Sequence, residues 1–237
     1  MLISGKNSVY EALISNKTIN KVVILATGHD EFSKKIIDLC KERHIRFDFA
    51  RREIMDKMCA HHQGYIADVT DYEYATLEDL LDNHENHFIL ILDNIQDPHN
   101  FGSIIRVCDC AGVDGIIIPS RHSVLVNETV YKTSGGAVSH VKIAKVGNIN
   151  EVIKVLKEQN IWVYCAEAGG KSVYEENFSG NVALVMGSEG EGVSKLTRQL
   201  CDETISLPMF GKVNSLNVST ATSAILYEMV RQRGNKK

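Results

Sequence analysis

VALVMGSEGEG, residues 182–192, is the stretch on which the reading of this chain turns. Its first five residues, Val182 to Met186, are apolar without a break, as in a strand buried on both faces of a parallel sheet. The loop that follows places Gly187, Gly190 and Gly192 within six residues. Glycines so spaced let backbone come close to a ligand and expose a run of N–H groups. Two familiar phosphate loops do not fit. A Walker loop continues Lys-Ser/Thr, whereas Gly192 is followed by Val193 and Ser194. The dinucleotide fingerprint opens on its close glycine pair, and here the close pair comes last. Glu189 and Glu191 would repel a pyrophosphate, so a neutral or cationic ligand suits this loop better.

The same alternation extends outward from that strand. Strands are expected at Phe88–Leu92, Gly115–Pro119, Val141–Val146, Ile161–Ala166 and Thr204–Leu207, with helices at 100–110, 128–134, 151–158, 193–200 and 218–231. Apolar strands followed by helices predict an α/β domain with a mostly parallel sheet, whose ligands bind outside the carboxyl ends of the strands. Two further loops lie at such ends. In LDNIQDPHNFGSIIR (92–106), Asp97-Pro98 marks a turn, Asn100 is a candidate cap for the following helix, and Arg106 lies less than two turns beyond it. In LPMFGKVNSLNVSTATS (207–223), Ser215 and Asn217 are candidate caps of the closing helix.

The 237 residues carry a net charge of -4, but unevenly. Residues 1–70 hold +2, residues 71–87 hold -6, and the rest is neutral. The acidic stretch is taken as a solvated linker with a helical turn or two around Leu77 to Leu81, separating a small N-terminal α/β domain (1–70) from the larger domain (88–237). The first domain is basic in its middle, from Lys34 to Arg52, a composition that suits a phosphate-bearing partner. No C-x-x-C occurs among the six cysteines, and reduced structural thiols are expected. His84 and His87 lack zincin spacing, so no metal is expected. Apolar runs fall far short of the ~18 residues of a membrane helix. The opening MLISGKNSVYEAL lacks the pattern of an export signal, so a cytoplasmic chain is expected.

DPHNFGSIIR, MGSEGEG and LPM followed by SLNVS, in this order, resemble the three motifs of the SpoU/TrmH family of SPOUT methyltransferases over residues 88–237. GKNSVYEAL and HHQGYIADV resemble the substrate-binding domain of bacterial enzymes that methylate a guanosine ribose in large-subunit ribosomal RNA. The resemblance implies a C-terminal trefoil knot, S-adenosylmethionine as cofactor, a homodimer, and methyl transfer to a ribose 2'-OH of RNA. It implies that Gly187, Leu207 and Leu216 hold the cofactor, and that Asn100, Arg106, Glu189, Ser215 and Asn217 line the reaction site. A guanidinium keeps its proton, so Arg106 is read as a clamp on a phosphate or developing alkoxide rather than as a base. A transfer RNA substrate, or a non-catalytic RNA-binding or assembly protein on the same fold, are the alternatives.

Overall fold

The computed structural model describes all residues except 16, 28–29, 83–85, 189 and 235–237. The chain divides into two compact units, Met1–Glu73 with Leu125–His140, and Tyr74–Val124 with Val141–Lys237. The sequence places Leu125–His140 in the larger domain, but its contacts are with the first unit.

The first unit is built on a four-stranded sheet of β1 (Leu2–Ser4), β2 (Ile19–Leu25), β3 (Arg46–Ala50) and β4 (Tyr65–Val69), in the order β1-β4-β2-β3. β2 and β3 are parallel, and β4 runs antiparallel to both of its neighbours. Helices α1 (Lys6–Ile14), α2 (Glu31–Glu42) and α3 (Arg52–Met58) complete the N-terminal portion. α2 begins where Asp30 Oδ1 accepts from the Ser33 N–H at 2.8 Å, and it buries Ile36 and Cys40. Side-chain contacts tie the later segment to this unit: Ser8 Oγ donates to the Tyr131 carbonyl at 3.2 Å, and Glu11 meets His140 Nε2 at 2.8 Å.

The second unit opens with α4 (Leu77–Leu81), within the stretch expected to be a solvated linker. A reciprocal capping box between Thr76 and Asp79 starts this helix, and Leu80 is fully buried in the core with Ile89, Ile117 and Ile153. The helix falls on the residues where a helical turn was expected, with Glu78, Asp79 and Asp82 exposed around it, but the burial of Leu80 docks it in the core where charge content alone suggested a solvated connector.

The main sheet comprises β5 (Phe88–Leu92), β6 (Gly115–Pro119), β7 (Ile143–Val146), β8 (Trp162–Ser172), β9 (Val182–Met186) and β10 (Glu203–Ser206). Its order is β10-β8-β9-β5-β6-β7, and all its pairings are parallel. β5 and β9, both wholly buried, lie side by side at the centre, where the chain order of strands reverses. Such a reversal is the usual ligand position of an open parallel sheet. β8 runs past the expected Ala166 to Ser172, because β10 pairs with it in two registers: Thr204 with Cys165, then Ile205 with Lys171. Helices α5 (Pro98–Ala111), α7 (Ile149–Glu158), α8 (Lys195–Leu200) and α9 (Val218–Arg233) cover this unit. The 128–134 helix, α6 (Glu128–Thr133), belongs to the first unit. No helix among the described residues is long and apolar enough to cross a membrane.

Candidate functional site

The three loops singled out by sequence meet through backbone and side-chain bonds at the carboxyl ends of β5, β9 and β10. The first link joins loops one and two. Directly after β5, the Asp93 N–H donates to the Met186 carbonyl at 2.8 Å, tying the ends of the two central strands. The buried Asp93 carboxylate, 6% exposed, accepts from the Ser194 N–H at 3.2 Å. On the other side of the glycine loop, Glu167 Oε2 accepts from the Val193 N–H at 3.1 Å.

Between these anchors the loop folds back on itself. Ser188 and Gly192 form an antiparallel bridge, and the Gly192 N–H donates to the Ser188 carbonyl at 3.0 Å. A Cβ at Gly187 would lie 2.0 Å from the Gly192 carbonyl carbon and 2.2 Å from the Val193 nitrogen. No side chain fits there, so glycine is needed for close backbone approach as well as flexibility. Glu189, the acid expected to line the reaction site, lies outside the described residues.

Loops one and three are joined by their asparagines. The helix α5 is capped by Asp97, whose carboxylate accepts from the N–H groups of His99 at 3.2 Å and Asn100 at 3.1 Å. Asn100 is therefore not the cap: it sits inside the first turn, and its side-chain Oδ1 accepts from Asn217 Nδ2 at 2.9 Å. Asn217 does cap α9, its Oδ1 accepting from the Ser219 N–H at 2.9 Å and the Thr220 N–H at 3.4 Å. One carboxamide thus begins a helix with its oxygen and reaches a second helix with its nitrogen. α9 packs along α5 behind this bond.

The remaining candidates are placed less tightly. Leu207 is half-buried just beyond β10, whose last residue, Ser206, donates its Oγ to the Gly170 carbonyl at 2.7 Å. Ser215 and Leu216 are exposed on the segment leading to α9, and Ser215 is not the cap. Arg106 is exposed on α5, with no hydrogen bond or ion pair to the described residues. Cys108, on the same helix, is fully buried, and burial pushes its thiol up, so it cannot supply a thiolate nucleophile. No cluster of metal-ligating side chains occurs among the described residues. Sequence reasoning missed Asp93 and Glu167. An acid directly after a buried strand was the available signal for Asp93, whereas Glu167 lies inside β8 with nothing local to mark it.

The fold and these loops match known proteins over nearly the whole chain. Residues 87–227 fit the model of the SpoU rRNA Methylase family, and residues 2–75 fit that of the RNA 2'-O ribose methyltransferase substrate-binding domain. YacO of Bacillus subtilis, named for the TrmH family of tRNA/rRNA methyltransferases, is 40% identical over 98% of this chain and 95% of its own. A Staphylococcus aureus protein named for the same family is 39% identical, with coverages of 98% and 96%. Among solved structures, the SpoU methyltransferase AviRb of Streptomyces viridochromogenes, in complex with AdoMet, superposes with a TM-score of 0.82 at 23% identity, covering 98% of this chain and 89% of that one. The A. aeolicus TrmH/SpoU tRNA modifying enzyme matches at 31% identity with a TM-score of 0.57, over 66% of this chain and 80% of that one.

Proposed function

This chain belongs to the SpoU rRNA Methylase family, and from that premise we propose that it transfers a methyl group from S-adenosylmethionine to a ribose 2'-OH, on a guanosine of large-subunit ribosomal RNA. The observation that carries the reading is the Asn217–Asn100 bond, which joins two motifs 117 residues apart in the chain. The extent of the matches favours a ribosomal substrate. An AdoMet-bound rRNA methyltransferase of Sinorhizobium meliloti matches 97% of this chain with a TM-score of 0.81 at 22% identity, whereas the tRNA modifying enzyme matches 66%.

The site fits the cofactor by its backbone. Gly187, buried where no Cβ is tolerated, lets the Gly192–Val193 backbone close against it and so sets the shape of the loop that holds the cofactor, and Leu207 and Leu216 supply main-chain groups and apolar side chains from loop three. When bound, S-adenosylmethionine supplies an electrophilic methyl group on a sulfonium. The protein's part is to hold the acceptor hydroxyl and stabilise the charge that grows on its oxygen. Asn100 and Asn217 orient the ribose, Ser215 adds a hydroxyl beside them, and Arg106 clamps the phosphate or the developing alkoxide. Glu189 sets the orientation of Asn100 or Arg106.

Two features of the whole protein belong to the same proposal. The chain is a homodimer: Met209, Phe210, Val213 and Leu216 are exposed on one short segment, Phe210 by 96%, which supports an apolar surface covered by a second copy. The C-terminal segment forms a trefoil knot. In support, the chain leaves β10 at the sheet edge and returns to α5, which follows central β5, across two intervening strands. The test is to delete the gene and map ribose methyls across ribosomal and transfer RNA. Loss of one large-subunit guanosine mark, restored by the wild-type gene but not by Arg106→Ala, is expected. Loss of a transfer RNA mark alone moves the substrate assignment there, and an unchanged map refutes the activity.

A further inference from the structure

We propose that the first unit grips an RNA phosphate in a pocket formed by Arg52, His61 and Gln63 together with Lys132, which lies outside the matched substrate-binding region. This rests on the reading of the chain as an RNA methyltransferase and adds where its RNA is held. Two clefts open beside the turn at residues 61–64, of about 450 and about 500 Å³, and they share Arg52, His61 and Gln63. The larger is completed by Lys132 from α6, and no acid lines it.

All four side chains present donors to the cleft. Gln63 Oε1 accepts from the Lys6 N–H at 3.0 Å, at the start of α1. That bond fixes the carboxamide and leaves its NH2 group without a partner among the described residues. Arg52 and His61 make no hydrogen bond or ion pair to the described residues, and Arg52 and Lys132 are both exposed. The acid of the smaller cleft, Asp56, is engaged by a buried imidazole. The Gly64 N–H donates to His62 Nδ1 at 2.9 Å, which leaves the proton on Nε2, 3.1 Å from Asp56 Oδ1. Glu128, one turn before Lys132, takes a hydrogen bond from the Cys59 thiol.

The turn is also shaped with care for where these groups sit. His61 and Gln63 both have left-handed backbone, with φ of 57° and 52°, a conformation uncommon outside glycine. Two cations, an imidazole and an amide donor around a cavity with no acid suit a phosphate, which Arg can meet with two parallel bonds. RNA is the form of phosphate that this protein's activity brings to its surface.

The test compares full-length wild type, Arg52→Ala/Lys132→Ala, and the control Lys34→Ala/Lys41→Ala, which removes equal charge from exposed positions on α2. The probe is an in vitro transcript of large-subunit ribosomal RNA, titrated at several salt concentrations. Arg52→Ala/Lys132→Ala should lose roughly tenfold or more in affinity and about 1 to 2 in the slope of log K against log salt, the control less. Donor affinity by calorimetry should stay at the wild-type value. RNA affinity equal to wild type, or a loss no greater than the control's, overturns the pocket. A wild type that binds the transcript but neither binds the donor nor incorporates methyl instead refutes the methyltransferase reading, and the affinity comparison still decides the pocket.

Discussion

Gly187 and Asn217 make opposite demands on a mutation. At Gly187 the added Cβ of Gly187→Ala meets backbone that cannot swing aside, so overpacking of about 1–3 kcal/mol is expected, together with loss of S-adenosylmethionine binding. A denaturant titration and calorimetry with the donor measure the two effects. At Asn217 the alanine variant removes a cap worth about 1 kcal/mol and the bond to Asn100 at once. Asn100→Ala removes the bond and leaves the cap, so it should be nearly as stable as wild type while losing turnover. Full activity in Asn100→Ala would show that the asparagine pair has no part in the reaction. Arg106→Ala should retain the fold and donor affinity but not methyl transfer, since its side chain supports no other described group. At this scale the sequence was readable wherever a residue type has a narrow use. Glycine in a close turn and asparagine before a helix are such cases. Asn100 was expected to cap α5 and Asp97 does so instead, because both types accept from a helix N-terminus and only their position in the turn distinguishes them.

Helix α9 is held at both ends, and its far end is titratable. Gln232 accepts from the Phe178 N–H at 3.0 Å and donates to the Glu176 carbonyl at 3.0 Å, while Arg233 donates to the Asn86 carbonyl at 2.8 Å. Arg231 and then Gln232 hold the Glu228 carboxyl at about 2, below the usual range, with Arg231 Nε 2.8 Å from it. A carboxyl depressed on folding stabilises the native state above its unfolded value near ~4.3 and loses that contribution as pH falls through the folded value. The stability gap between wild type and Glu228→Gln should therefore be widest above about pH 4.5 and close toward about pH 2. Urea titrations across that window measure it, and a gap independent of pH would sink the assignment. Among the elements, β5, β6 and β9 fall on the residues that the apolar pattern marked. A strand buried on both faces has an uninterrupted apolar run, and polar residues bound it sharply. β8 ran on beyond its expected end because pairing with β10 supplies hydrogen bonds that no local pattern encodes.

For the whole molecule, net charge is a poor guide to its partner. The chain is acidic overall, yet its net negative charge is concentrated in residues 71–87, so RNA affinity should weaken with salt according to the phosphates contacted, by about 0.7 in the log–log slope for each on single strands. The proposed homodimer should scatter light at twice the chain mass, and Phe210→Asp should shift it toward monomer. Short-range pattern was enough to establish an α/β chain with a parallel sheet, its three special loops and their order, because strand burial, glycine and helix caps act over a few residues. Which strands are neighbours, that Asn100 touches Asn217, that Leu80 anchors an acidic helix, and that Lys132 and His61 line one cleft depend on contacts between positions far apart in the chain. Those contacts are selected by the packing of the whole core, and no local run of residues encodes them.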